Sequence, residues 1–274
     1  MFRNDKDIPI KHTSLPPVGF GTCEIHDEEV ILEALKCGYR LIDTASHYFN
    51  EKIVGEGIRK SGVTRSEIIV TSKVWYSDMG YDQTLRAFEK SAAALGGDID
   101  MYLIHWPAEV RRYPDWEKTN IETWRALERL YKENRVKIIG TCNFMRKHYE
   151  SLLKYCEIRP MINQIEFHPG FMQTDTVSCC RENQIVIEAW GPLGNGEIIR
   201  ENAIIQKTAD KLSKTKAQIC IRWCFQHGII PIPKTTKRQR MQENLDISGF
   251  EIDKDDMREI DNMPFCGGAG AQVK

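Results

Sequence analysis

Three apolar runs in the first half of the chain each end on a titratable residue. They are Arg40-Leu41-Ile42-Asp43, Ile68-Ile69-Val70-Thr71-Ser72-Lys73 and Met101-Tyr102-Leu103-Ile104-His105, and Tyr48 follows shortly after the first. A carboxylate, an ammonium, an imidazole and a phenol gathered at one centre can carry out a proton transfer. A phenol has an unperturbed pKa of about 10, so acting as an acid near neutrality asks for a fall of roughly 2–3, worth ~3–4 kcal/mol. An ammonium at about 4 Å in an effective dielectric near 20 supplies ~4 kcal/mol. Lys73 is therefore sufficient in magnitude, with Asp43 keeping it charged against the effect of burial. His105 can donate to a carbonyl oxygen and orient it. A second reading stays open: Asp43 and Lys73 as an ion pair that only joins two strands, with Tyr48 at a pocket rim.

The elements that must position these groups follow from periodicity. Short apolar runs bounded by turn signals read as buried parallel strands. The chain offers eight: Val18–Gly21, Arg40–Thr44, Glu67–Ser72, Met101–His105, Val136–Gly140, Met161–Phe167, Ile185–Trp190 and Ile229–Ile232. Between them the pattern predicts helices over Asp27–Cys37, Glu51–Lys60, Asp82–Leu95, Ile121–Asn134, Arg146–Cys156, Asp175–Asn183, Ala203–Leu212 and Lys216–Gln226, with a last helix at Arg238–Leu245. Asp27 is a candidate N-cap and Gly38 a stop. Ile8–Pro17 reads as a short hairpin ahead of the first strand. The alternation predicts an α/β fold, a single (β/α)8 TIM barrel over 1–274 with that N-terminal hairpin and a short C-terminal tail. A doubly wound sheet would want Gly-x-Gly-x-x-Gly after its first strand, and Val18-Gly19-Phe20-Gly21-Thr22-Cys23-Glu24 lacks it. In a barrel, groups at the C-terminal ends of successive strands converge at one mouth.

The 274 residues carry a net charge of −1 and are 41% hydrophobic. That allows a large core and offers no basic stripe for nucleic acid, so the expected partner is a small molecule. No run of about 20 apolar residues suggests a membrane span. The nine cysteines, an odd number with two adjacent, and an opening without an apolar signal segment fit a reducing cytoplasm. Cys220, Cys224 and His227 share a helix face and are a weak zinc candidate; buried cysteine is the commoner reading, and no metal is expected. A monomer is expected, with a weak dimer as the alternative.

The contexts Leu-Ile-Asp-Thr-Ala, Tyr-Phe-Asn-Glu, Thr-Ser-Lys-Val-Trp and Tyr-Leu-Ile-His-Trp-Pro around Asp43, Tyr48, Lys73 and His105 resemble the catalytic tetrad of the aldo-keto reductases. The likeness runs from Pro17 to Ile260 and is closest in appearance to the shorter microbial members that reduce 2,5-diketogluconate or methylglyoxal. It implies reduction of aldehydes and ketones by NADPH, returning NADP+, with Tyr48 as general acid. It implies that Gly21, Thr22 and Asp43 line the cofactor, and that Asn143 and Gln164 hold the nicotinamide carboxamide. Cys142 stands beside them where the family has Ser, and a thiol is the weaker hydrogen-bond partner. Trp190 would stack on the nicotinamide. Gly191-Pro192-Leu193-Gly194 would take the pyrophosphate, Lys234, Thr235, Thr236 and Arg240 the 2′-phosphate, and Glu243 and Asn244 the adenine. Arg offers fork geometry there.

The same resemblance places the substrate among Cys23, His47, Tyr48, Trp75, His105 and Trp106. Cys23 replaces the usual Trp and widens the pocket. The C-terminal loop from Met263 is short and Gly-rich, so an open site for small aldehydes, α-dicarbonyls and keto sugars is expected. The alternative in another class is a nicotinamide-binding, redox-sensing module without turnover. A metal-dependent barrel hydrolase would want a His-x-His after strand one, which is absent.

Overall fold

The computed structural model describes residues 8–10 and 13–266. Strands β1 (Ile8–Ile10) and β2 (Thr13–Leu15) form an antiparallel hairpin. Eight further strands follow: β3 (Phe20–Gly21), β4 (Leu41–Asp43), β5 (Ile69–Val74), β6 (Met101–Ile104), β7 (Ile138–Cys142), β8 (Ile162–Glu166), β9 (Val186–Trp190) and β10 (Ile229–Ile232). They lie side by side in chain order, and every neighbouring pair is parallel. The ring closes through Gly19 N–H to Pro231 O at 2.9 Å and Gly21 N–H to Pro233 O at 3.1 Å. The (β/α)8 barrel expected from alternation is the observed fold.

The outer layer is α1 (Glu28–Cys37), α2 (Glu51–Lys60), α3 (Tyr81–Leu95), α4 (Trp116–Lys132), α5 (Arg146–Tyr155), α6 (Thr174–Glu182), α7 (Glu197–Arg200), α8 (Ala203–Leu212), α9 (Lys216–Gln226), α10 (Arg238–Leu245) and α11 (Lys254–Asp261). Their limits have local causes. Asp27 accepts the Glu29 N–H at 3.0 Å, and Gly38 ends α1 at φ 111°, a conformation that costs a Cβ-bearing residue energy. Thr215 and Gln218 form a reciprocal capping box on α9. Along β6, β7 and β8 every residue is buried, as strands covered on both faces must be. Gly140 lets β7 meet β8: a Cβ there would stand 2.5 Å from Ile162 O.

Several boundaries differ from the sequence reading. The fourth helix begins at Trp116, five residues before the expected Ile121. The polar stretch from Glu117 to Asn120 hides its first turn, whose apolar anchor is Trp116 against the His148 ring. Strand β5 runs to Val74 rather than Ser72, and β7 spans Ile138–Cys142 rather than Val136–Gly140. The latter enters the sheet where Lys137 and Ile138 both donate to Asp100 O. Helix α11 was not expected. Its N-cap is Asp253, accepting from Asp255 and Asp256, but Ile260 is its one fully buried apolar side chain, too thin a stripe to read as periodic.

Leu15 of the hairpin is fully buried. Thr13 and Ser14 of β2 share a cavity with Arg40, Ile69, Asp100 and Ile138, which places the hairpin under the N-terminal ends of the strands. The opposite, C-terminal mouth carries the titratable strand ends. The expected Gly-rich tail lies outside the described residues from Gly267 onward.

Candidate active site

The tetrad assembles at the mouth. Lys73, on β5, is fully buried and donates from Nζ to Asp43 Oδ2 at 2.7 Å and to Thr44 O at 3.0 Å. Burial alone would lower the Lys73 pKa, but Asp43 and Tyr48 outweigh it and hold the ammonium charged. The Tyr48 ring centre lies 5.0 Å from Lys73 Nζ and meets the His105 ring edge-on at 5.5 Å.

The loop carrying Tyr48 is fixed by buried polar contacts. Thr44 Oγ1 donates to Asn50 Oδ1 at 2.7 Å, and Asn50 Nδ2 donates to Thr22 O and Ile25 O at 2.7 and 2.9 Å. Ser46 Oγ donates to Lys73 O at 2.9 Å. Thr22 Oγ1 in turn donates to Asp43 O at 2.8 Å. Asn50 and Ser46 thus pin the loop to β4 and β5, a role the sequence reading did not assign.

One expectation is corrected. Lys73 does pull the Tyr48 phenol down, but burial acts more strongly and Asp43 opposes, so the pKa moves above 10 rather than below it. The arithmetic from sequence counted the charge and left out desolvation. Tyr48 is consequently a protonated phenol at neutral pH. For His105, burial and then the charge of Lys73 push the imidazole well below its ordinary value. It is neutral, and its Nδ1 is buried with no partner among the described residues.

The second half of the barrel supplies amides. Gln164 faces Cys142 across β7 and β8, and Glu188 across β8 and β9. Its Nε2 donates to Asp43 Oδ1 at 2.8 Å and to Glu188 Oε2 at 2.9 Å. Asn143 sits in the left-handed region at φ 61°, donating to His105 O at 3.1 Å and accepting the Trp190 indole N–H at 2.9 Å. Trp190 is half-buried, its ring held by that bond. Cys142 is buried and burial keeps it a thiol.

The aldo/keto reductase family matches over residues 20–263. Glyoxal reductase of Bacillus subtilis is 45% identical over 254 residues, 91% of this chain and 89% of that protein. The chain belongs to the aldo/keto reductase family. A 9,11-endoperoxide prostaglandin H2 reductase of Trypanosoma cruzi is also 45% identical, over 256 residues, with 91% and 88% covered. Among solved structures, a point mutant of Gox0644 in complex with NADPH superposes with a TM-score of 0.89 at 40% identity over 99% of both chains.

In this reductase the remaining predicted positions lie on the segments that end β3 and follow β9 and β10. Gly21 is buried at the end of β3. After β9, Gly191, Gly194 and Gly196, and also Asn195, adopt positive φ, and Gly194 N–H turns back to Gly191 O at 2.8 Å. Pro192 is buried and Leu193 half-buried in that turn. Beyond β10, Lys234, Thr236 and Arg240 are exposed, whereas Thr235 is buried and accepts the Lys237 N–H at 3.2 Å. Lys234 Nζ is engaged by Glu24 Oε2 at 2.8 Å. Glu243 accepts from Gln239, and Asn244 is turned inward beside the Tyr39 phenol.

On the substrate side Cys23 and His47 are exposed, Trp75 and Trp106 half-buried. His47 stacks on Trp75 at 3.6 Å, and Trp75 meets His105 at 4.9 Å. Phe49, unassigned from sequence, is 81% exposed and left-handed at φ 54°, a costly conformation for a bulky residue. Among the described residues no group of three or more His, Cys, Asp or Glu side chains is placed to hold a metal. His227 instead bonds Asp261, and Cys220 and Cys224 are packed in the core.

Proposed function

We propose that the single domain spanning 1–274 reduces small aldehydes, ketones and α-dicarbonyls to alcohols with NADPH, and that the Asp43–Tyr48–Lys73–His105 cluster carries the chemistry. The carrying observation is a fully buried ammonium, paired to Asp43, beneath a phenol ring that abuts a neutral imidazole whose Nδ1 has no partner among the described residues. Gln164, Asn143 and Trp190 would hold the nicotinamide end, the positive-φ turn Gly191–Gly194 the pyrophosphate, and Lys234, Thr235, Thr236 and Arg240 the 2′-phosphate. The orphaned His105 nitrogen and the open turn after β9 fit such a ligand. When bound, NADPH supplies the hydride that the carbonyl carbon receives.

The chain's own residues do the rest. Neutral His105 donates an N–H to the carbonyl oxygen and fixes its direction. Tyr48, in its acid form, passes its proton to that oxygen as negative charge develops there. The phenolate left behind lies against the Lys73 ammonium, which stabilises it in a dry site where charge interactions are strong. Asp43 keeps that ammonium charged. The name of the Bacillus subtilis relative supports a dicarbonyl substrate. A cytoplasmic, monomeric enzyme fits this reading, and among the described residues no helix is long and apolar enough to cross a membrane.

The test is NADPH oxidation across a panel of aldehydes and dicarbonyls. Tyr48→Phe is expected to lower turnover by roughly 10²–10⁴-fold with NADPH still bound. A variant turning over at near the parent rate ends the assignment. NADPH binding without turnover on any carbonyl would favour a redox sensor.

A further inference from the structure

Glu188 lies in the middle of β9, fully buried, and the proton transfer described above makes no use of it. Its Oε2 accepts from Gln164, and its Oε1 has no partner among the described residues. A carboxyl group is rarely placed in a barrel interior without a task, because desolvation penalises it. The geometry around Gln164 identifies the task. An amide nitrogen has two hydrogens. One is committed to Asp43 Oδ1 at 2.8 Å and the other to Glu188 Oε2 at 2.9 Å. The Asp43 carboxylate, paired to Lys73, can only accept, so the nitrogen and not the oxygen of Gln164 must face it. With both N–H bonds fixed on opposite sides, the plane of the amide is set and its oxygen is the acceptor left for a ligand.

We propose that Glu188 is a positioning residue: with Asp43 it clamps the Gln164 amide so that the Gln164 oxygen is presented to the nicotinamide carboxamide. This rests on reading Gln164 as a cofactor contact. Without Glu188 the second N–H loses its partner, and the amide is free to rotate about its bond to Asp43. Burial pushes the Glu188 pKa up to about 8, so near neutrality a carboxyl oxygen accepts from Gln164 without a second full negative charge beside Asp43. Asp43, Lys73 and the Cys142 thiol are the titratable groups that face it from β4, β5 and β7.

The test is a binding measurement, quenching of tryptophan fluorescence by NADPH at pH 7, with circular dichroism as a fold control. Glu188→Met removes the acceptor at similar volume and is expected to raise the NADPH Kd roughly tenfold, the scale of one neutral hydrogen bond. Glu188→Gln keeps an acceptor oxygen and is expected to recover most of that loss. In the Gln164→Ala background Glu188→Met should cost nothing further, whereas a merely structural role would add in full. Should Glu188→Met not fold, Glu188→Val carries the same comparison. Parent-like affinity in a folded apolar variant, or full additivity with Gln164→Ala, overturns the proposal. If Gln164→Ala alone binds NADPH as the parent does, the reading of Gln164 fails, and this is distinguishable from failure of Glu188.

Discussion

Asp100 and Asp43 sit at opposite ends of the same barrel, are both buried, and are both paired to lysine at 2.7 Å. Under the floor, Asp100 is saturated: Lys137 takes Oδ1, while the Arg65 guanidinium and the Val70 N–H share Oδ2. The Lys137 side chain is 64% exposed and keeps most of its water. At the mouth the ammonium is fully buried, and the groups around it include two polar atoms with no partner among the described residues, His105 Nδ1 and Glu188 Oε1. The ion pairs have the same chemistry and different surroundings. The floor pair finishes a strand entrance, whereas the mouth pair holds a fully buried charge beside the groups proposed above to meet the cofactor and substrate. This contrast supports the proposed catalytic reading of Asp43 and Lys73 over that of an ion pair that only joins two strands.

The widest separation between the two ends should come from removing each lysine. Lys73→Met strands the Asp43 carboxylate in the interior and is expected to destabilise the fold by ~3–5 kcal/mol. It also removes the ammonium worth ~4 kcal/mol to the phenolate, so turnover should fall by roughly 10³-fold. Lys137→Met removes an exposed partner and is expected to cost less than about 1 kcal/mol with turnover unchanged. Urea denaturation and steady-state kinetics on both variants check this. Equal stability losses would erase the distinction.

A smaller effect separates the ends by pH. The raised Glu188 pKa, about 8 against an ordinary 4.5, means that the folded state holds a proton the unfolded chain has released. Its contribution to stability is fully present below about 4.5 and is lost as pH rises through about 8. The melting temperature of the parent relative to Glu188→Gln is therefore expected to fall between pH 5 and 8.5. A constant difference over that range would show that Glu188 does not titrate in this window.

The same contrast explains what could be read in advance. Asp43, Lys73 and His105 were legible because each ends an apolar run, where a titratable residue interrupts the pattern. The barrel followed from the alternation itself, and caps such as Asp27 and Gly38 announce themselves locally. Glu188 was not legible. It sits inside the run Ile185–Trp190, and its partner Gln164 is defined only by the β8–β9 register, which depends on how the barrel closes. The direction of the Tyr48 pKa was missed for a related reason. Charge can be counted from sequence, but the water that folding strips from the phenol cannot. Phe49 reads as an ordinary loop aromatic until its left-handed backbone and exposure at the mouth are seen.

The smallest expected effect concerns an ion pair at the mouth that behaves like those of the floor. Lys234, proposed to meet the 2′-phosphate, is held at 2.8 Å by Glu24, whose side chain is 79% exposed. So exposed a pair contributes ~0.2–1 kcal/mol, and a phosphate must displace the carboxylate to use the ammonium. Glu24→Gln is expected to tighten NADPH binding by up to about fivefold and to leave NADH, which lacks that phosphate, unaffected. The gain should shrink as salt is raised, since both charges are solvated. Fluorescence titration of each cofactor at low and high salt checks it. An equal change for NADPH and NADH would place Lys234 away from the 2′-phosphate and reduce the Glu24 contact to a surface ion pair.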